Sequence, residues 1–279
     1  MQKTDKDEKS IIHLKSLPVK NAFTFGKITG STSEELVEEK SFVVEKIERS
    51  KKRARNRKRT IYRKLEIPFE RVVHMSVDHG SKVKTVNQTH AWDSINADSL
   101  ITSVPGLALE ITPADCHPVF ITNREGNILA LIHAGVRSLI DGVIEKTFKL
   151  LDEEIKKINY FLGKDIKRKD LMVGIGPGIC AKHYSVKELA LSGELKKERR
   201  QKLKSRGGVD DLRNLNLSPK RMLKSDLLRE GILMSNIVET DYCTYHSVNN
   251  HNGEHLFFSY RRCSEEEESE GRNLAIASL

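Results

Sequence analysis

Between Asp98 and Leu151 the apolar and polar positions fall into a regular order. The runs SLITS, LALEIT, PVFIT and NILALI are short and rich in β-branched residues, and turn formers separate them at Pro105-Gly106, Pro113-Ala114-Asp115 and Glu125-Gly126-Asn127. This pattern predicts four consecutive strands. After His133-Ala134-Gly135 the period lengthens: Leu139, Val143, Ile144, Phe148, Leu150 and Leu151 share the apolar face of one helix that begins just past His133. Leu171 to Ile175 predicts a further strand ending at Gly176-Pro177-Gly178, and Ile237-Val238, His255 to Tyr260 and Leu274 to Ile276 predict later ones. An amphipathic helix is expected from about Ser218 to Glu230, with Ser218-Pro219 as its cap and first turn. Hairpin-like and strand-to-helix connections together predict an α+β fold, with mixed β-sheets layered with helices in a single domain, over a doubly wound one.

Three stretches lack the apolar positions a core needs. They are a polar N-terminal arm over residues 1–20, the basic segment 46–64 and a charged insertion at 194–206; the catalytic domain is expected over 21–279. The acidic run Glu265 to Glu268 reads as a loop. The formal charge of +9 invites a nucleic-acid partner, but much of the excess lies in Lys51 to Lys64. Such a run reads as a solvated face giving salt-sensitive attraction to polyanions, not as a specific reader of bases, so no nucleic-acid partner is expected. MQKTDKDEKS lacks the charged-then-apolar order of a secretory signal, and no run of about 18 apolar residues suggests a membrane span. The four cysteines Cys116, Cys180, Cys243 and Cys263 are far apart with no C-x-x-C pair, which indicates neither a disulfide framework nor a zinc ribbon. A cytoplasmic location is the expectation.

Chemistry concentrates around the strand ends. Cys116, in PADCHP, sits in a turn between two prolines, which fixes the direction of its thiol; the alternative is a buried, inert cysteine. His133 ends an apolar strand just before a glycine and a helix, where a lone histidine is often a hydrogen-bonded structural residue. His79, in VDHGSKV, stands at a bend beside Gly80, whose missing side chain admits close approach. Two imidazoles and a thiolate suit zinc and leave a fourth position open, as in catalytic sites. Arg137, at the start of the helix after His133, suits an anion such as phosphate, with a salt bridge to Asp141 as the plain alternative. GIGPGIC is no dinucleotide fingerprint, because its glycines are wrongly spaced.

The strings DHGSKV, DSLITSVPGLALEITPADCHPVFI, LALIHAGVRSLIDGVI, VGIGPGICAKHYSV and CTYHS, FFSYRR and GRNLAIASL resemble the successive motifs of the laccase-domain (YfiH-type) family, in order, from about Val72 to the C-terminus. The resemblance implies a fold shared with a bacterial toxin deamidase and a zinc-dependent purine nucleoside phosphorylase. Such an enzyme cleaves adenosine, inosine and methylthioadenosine with phosphate and also deaminates adenosine. It places the metal ligands on His79, Cys116 and His133, with Zn2+ preferred over copper. Arg137 then serves phosphate, and Asp115 is a candidate for proton transfer or for support of the ligand cysteine.

The sequence departs from the family where His-Ala-Gly-Trp-Arg-Gly becomes His133-Ala134-Gly135-Val136-Arg137-Ser138, losing an aromatic residue and a glycine. AFTFGKITGSTS keeps only an echo of the family's N-terminal pattern, and His117 replaces an apolar residue after the cysteine, where as a fourth ligand it would close the site. Two rival readings follow: a metal-free cysteine hydrolase with Cys116 as nucleophile and His133 as base, and a non-catalytic binding protein that uses the basic segment.

Overall fold

The computed structural model describes residues 11–24, 56, 58–185, 216–249, 252–266 and 271–279. The insertion at 194–206, the first ten residues, the N-terminal half of the basic segment and most of the AFTFGKITGSTS echo lie outside them. The described chain forms twelve strands: β1 (Ile11–Ile12), β2 (Lys20–Thr24), β3 (Val72–Ser76), β4 (Val83–Thr85), β5 (Ser94–Asn96), β6 (Ser99–Thr102), β7 (Ala108–Ile111), β8 (His117–Asn123), β9 (Leu129–Ala134), β10 (Leu171–Ile175), β11 (Ile237–Glu239) and β12 (Ala275–Ser278). Helical residues 58–64 are α1; they are followed by α2 (Val136–Ile140), α3 (Val143–Leu162), α4 (Pro219–Arg229) and α5 (Tyr260–Glu266).

Two six-stranded mixed sheets run β1-β2-β12-β7-β3-β5 and β11-β10-β8-β9-β6-β4. Successive residues of a strand point to opposite faces, so each central strand feeds two cores. In β8, Phe120 enters the core between the sheets, while Val119 and Ile121 face the layer of α2, α3 and α4. In β9, Leu129 and Leu131 alternate in the same way with Ala130 and Ile132. The first sheet shares Leu109, Ile111, Val73, Met75, Ala275 and Ala277 with the middle core, and its other face carries Ala108, Val72 and Ile276 against Ile61, Tyr62 and Leu65 of the α1 region. The result is helix, sheet, sheet, helix in four layers. The α+β expectation holds.

All four strands predicted between Asp98 and Leu151 form, but they do not stay together: β6, β8 and β9 pair in one sheet, while β7 joins the other. The expected single helix after His133 is two, because Gly142 takes a left-handed φ of 81° between α2 and α3. α4 starts where expected, with the Ser218 side chain accepting from the Arg221 N–H. His255 to Tyr260 forms no strand; Phe257 and Phe258 are buried in irregular chain and Tyr260 opens α5, which runs into the acidic stretch read as a loop.

Two segments set aside as peripheral contribute to the core. Leu14, Leu17 and Val19 are buried between the sheets, so the packed structure reaches into the arm expected over residues 1–20. In the basic segment Ile61 and Tyr62 are buried, and Lys58 Nζ lies 2.5 Å from Oε1 of Glu110, a β7 residue with 1% exposure. Tyr62 Oη also donates to Glu110, and His74 Nδ1 lies 3.0 Å from it. Burial alone would keep Glu110 protonated; Lys58 and His74 outweigh it and hold the carboxyl at about 2. Here the basic residues partner a buried charge on the outer face of a sheet.

Candidate metal centre

The crossovers β3–β4 and β5–β6 both pass from one sheet to the other, and β3 pairs parallel with β5 as β4 does with β6. Parallel pairing brings both crossovers to the same end of the sandwich. One contributes His79 and Gly80, and the other contributes Asp98. At that end β8 and β9 are antiparallel with His117 opposite Ala134, so Cys116 and Gly135 lie just beyond the last rung, next to His133. Residues 54 positions apart, counted from His79 to His133, thus meet because two sheets end together.

One donor atom from each of His79, Cys116 and His133 lies within 4.8 Å of the other two. The two imidazoles meet edge to face, with centroids 4.9 Å apart. Nδ1 of His133 is 3.1 Å from Oδ1 of the fully buried Asp98, which leaves Nε2 for the cleft. The other Asp98 oxygen accepts from the Gly80 N–H at 2.9 Å, and the Asp98 carbonyl accepts from the His133 N–H at 2.9 Å. One carboxylate therefore fixes two of the three arms. Burial would raise the Asp98 pKa, but the His133 imidazole and the Gly80 N–H reverse the shift and hold it below its usual value. Sequence reasoning missed Asp98 because nothing local marks an aspartate before a strand as the partner of a histidine 35 residues later.

Backbone strain accompanies the site. His79 and Asp115 have φ of 58° and 76°, in a region that costs non-glycine residues about 1–2 kcal/mol. Asp115 is held there from three sides. Its Oδ1 accepts from Thr244 Oγ1 at 2.6 Å, Oδ2 from the Arg261 N–H at 2.9 Å, and its carbonyl from the Ile179 N–H at 2.8 Å. These bonds aim the next residue, Cys116. Gly135 completes the cradle, since a Cβ there would stand 2.9 Å from Cys116 Sγ and 3.3 Å from the His133 ring.

Burial opposes charge on His133, but its interactions with Cys116 and Asp98 outweigh it and lift the imidazole to about 9. His79 moves the other way: burial first, then the charge of His133, lowers its pKa, with Arg137 and Arg272 adding to the effect. Both guanidinium groups are thus near enough to act on His79 electrostatically. Arg137 is exposed on α2, and this helix of five residues adds little dipole of its own. Arg272 lies in the GRNLA string and was given no role by sequence reasoning. His117 does not join the triad: it is 1% exposed, its Nδ1 is 3.0 Å from the Gly176 carbonyl, and burial takes it down to about 4. Of the altered motif, Val136 packs into the helix-side core, and Ser138 Oγ reaches Asp98, the carboxylate behind His133, at 3.4 Å.

The donor set fits a metal. Two nitrogens and a sulfur converge, one imidazole is oriented by a carboxylate, and the glycine opposite leaves room. Three donors at one end of a β-sandwich could hold a metal ion with a coordination position left open. The profile of the family described as multi-copper polyphenol oxidoreductase laccase matches residues 23–279, and the chain belongs to that family. Purine nucleoside phosphorylases of Mycobacterium tuberculosis and Haemophilus influenzae are 29% identical over 120 residues and 33% over 103 residues, covering 43% and 37% of this chain and 44% and 41% of theirs. The matched stretch thus spans less than half the length of these relatives. A Synechocystis protein of the same name is 29% identical over 182 residues, 60% of this chain and 63% of its own. YlmD of Geobacillus stearothermophilus and YfiH of Bacillus licheniformis superpose with TM-scores of 0.71 and 0.70 at 19% identity, each over 98% of this chain and 97% of theirs, which establishes the fold.

Proposed function

We propose that this protein is a zinc-dependent purine nucleoside phosphorylase acting on adenosine, inosine and methylthioadenosine, with adenosine deamination as a side activity. The observation that carries this reading is the convergence of His79, Cys116 and His133, in a chain whose relatives bear the name purine nucleoside phosphorylase. In phosphorolysis the bond from the sugar's anomeric carbon to the base nitrogen breaks, a bond to a phosphate oxygen forms, and the departing base takes up a proton.

Arg137 and Arg272 bind and orient the phosphate dianion, with a planar fork suited to its oxygens. Asp98 keeps His133 in one tautomer and orientation, and Asp115, whose oxygens accept from Thr244 and the Arg261 N–H, positions Cys116. A zinc ion held by the triad would supply electrophilic polarisation of a substrate oxygen and, for deamination, activated water. Three ligands in one mononuclear site favour zinc over a multicopper cluster. One observation favours the rival cysteine hydrolase: the Cys116 sulfur and a His133 ring nitrogen lie within 4.8 Å of each other, as a nucleophile and its base would.

The test is incubation of the purified protein with each nucleoside, with and without phosphate, before and after chelation. Release of free base and sugar phosphate only with phosphate, and conversion of adenosine to inosine without it, both lost on chelation and restored by zinc, is the expected result. Full activity in metal-free protein would overturn the metal-dependent reading in favour of the cysteine nucleophile.

A further inference from the structure

Cys180, His183, Cys243 and His246 also bring four donor atoms within 4.8 Å of one another, and none of the four belongs to the triad. The sequence carries them as two C-x-x-H units more than 60 residues apart, Cys180-Ala181-Lys182-His183 and Cys243-Thr244-Tyr245-His246. Each unit has the same local form, an extended cysteine followed by a single tight turn. The first is a 3₁₀ helix, Ala181–His183, capped by Cys180, and the second is a turn over residues 244–246. At three residues per turn the positions i and i+3 eclipse, so each cysteine and its histidine point the same way. A parallel bridge between Gly178 and Cys243, with the Thr244 N–H donating to the Gly178 carbonyl at 3.2 Å, sets the two units side by side.

The separations match a known coordination shape. Zinc bonds of about 2.3 Å to sulfur and about 2.0–2.1 Å to nitrogen give tetrahedral edges of about 3.3 Å between two nitrogens and about 3.6 Å between sulfur and nitrogen. Nδ1 of His183 and Nδ1 of His246 are 3.2 Å apart, and Cys180 Sγ is 3.3 Å and 3.8 Å from these same atoms. Two imidazole nitrogens facing each other at that distance need something between them or a shared proton. The buried Cys243 sulfur receives the backbone N–H of Cys180 at 3.3 Å, which ties the second cysteine to the first unit. His183 is held in place by stacking on Tyr245, with ring centroids 4.2 Å apart and 9° between planes. Two thiolates and a divalent ion leave the site neutral, and four protein ligands leave no open position.

We propose that these four residues form a second, structural zinc site of the Cys2His2 type, which clamps the loop after β10 to the loop after β11. Its position gives it a purpose. Thr244 lies inside the second unit and donates to Asp115, and Ile179, beside Cys180, donates to the Asp115 carbonyl, so both halves of the clamp hold the strained residue that aims Cys116. The inference stands whether or not the triad works as a phosphorylase.

The test is metal content and cobalt spectroscopy on the full chain. The Cys116→Ala/His133→Ala protein, which lacks the triad and keeps the clamp intact, should retain one tightly bound zinc per chain after dialysis. With cobalt in its place, it should show the strong sulfur-to-metal charge-transfer and visible bands of a tetrahedral site with two thiolates. Introducing Cys180→Ser and His246→Ala into that background should remove the metal, and chelation of the parent should lower its unfolding midpoint by several degrees. Absence of bound zinc in the Cys116→Ala/His133→Ala protein, or a weak octahedral cobalt spectrum, would overturn the proposal, as would metal unchanged by the added substitutions. Absence of nucleoside turnover in the wild-type protein, with the clamp zinc bound, would count against the triad's reading alone.

Discussion

The two histidine–cysteine clusters use the same kinds of side chain on different supports, and the support decides what each can do. His133 and Cys116 sit at the ends of β9 and β8, whose residues are buried along their whole length, and the third ligand comes from a crossover pinned by Asp98. In the proposed open site, three ligands on a rigid rim would leave one coordination position for substrate. The second cluster lies on two connecting loops, uses two repeated turns and fills all four positions from the protein. An open site placed on loops would lack the precision that chemistry needs, while a closed site on a rigid rim would add little stability. Each arrangement fits its scaffold.

Removal of a ligand from each cluster should separate these roles most sharply. Cys116→Ala or His133→Ala should lower nucleoside turnover by about 10³-fold, equivalent to roughly 4 kcal/mol of lost transition-state stabilisation. The unfolding midpoint should hardly move; a fall as large as that caused by chelating the second cluster would erase the distinction.

A smaller effect concerns the scaffold both clusters share. Glu110, whose carboxyl is held at about 2 by Lys58 and His74 against burial, stabilises the fold above its ordinary value of 4.5. That contribution, about 3 kcal/mol, is lost as pH falls from 4.5 through 2. Glu110→Gln should therefore flatten the acid limb of the stability curve and lower stability at neutral pH, while metal content at both clusters stays at the wild-type level. An unchanged acid limb in this variant would show that Glu110 does not tie α1 to the sheet.

The smallest effect should fall on one reaction of the open site. Arg137→Ala should raise the phosphate concentration for half-maximal phosphorolysis by about tenfold or more, as for a charge-assisted contact worth about 1.5–3 kcal/mol. Deamination of adenosine should change far less, and Arg137→Lys should recover part of the affinity. Equal losses in both reactions, with an unchanged phosphate requirement, would assign Arg137 to the nucleoside or to the structure.

The pattern of apolar positions determined the existence of β6 to β10, of α4, and of the turns between them, because these depend on local periodicity and on Pro, Gly and Ser at element ends. It also marked His79, Cys116 and His133 as residues at bends and strand ends, although no spacing among them required that they meet. Which strand joined which sheet was beyond it: both faces of β7 and of β8 are buried, so an apolar run carries no mark of its partner. His255 to Tyr260 read as a strand for the same reason, since Phe257 and Phe258 need burial and any buried backbone satisfies it. Asp98 gained its role only when two crossovers reached one end of the sandwich, and Lys58 and Tyr62 gained theirs only when α1 covered the face that carries Glu110. The two C-x-x-H units are legible as text but silent alone, because a closed metal site needs four donors in one place. Local sequence sets where each donor points, and only the tertiary structure, by bridging Gly178 to Cys243, sets how far apart the donors are.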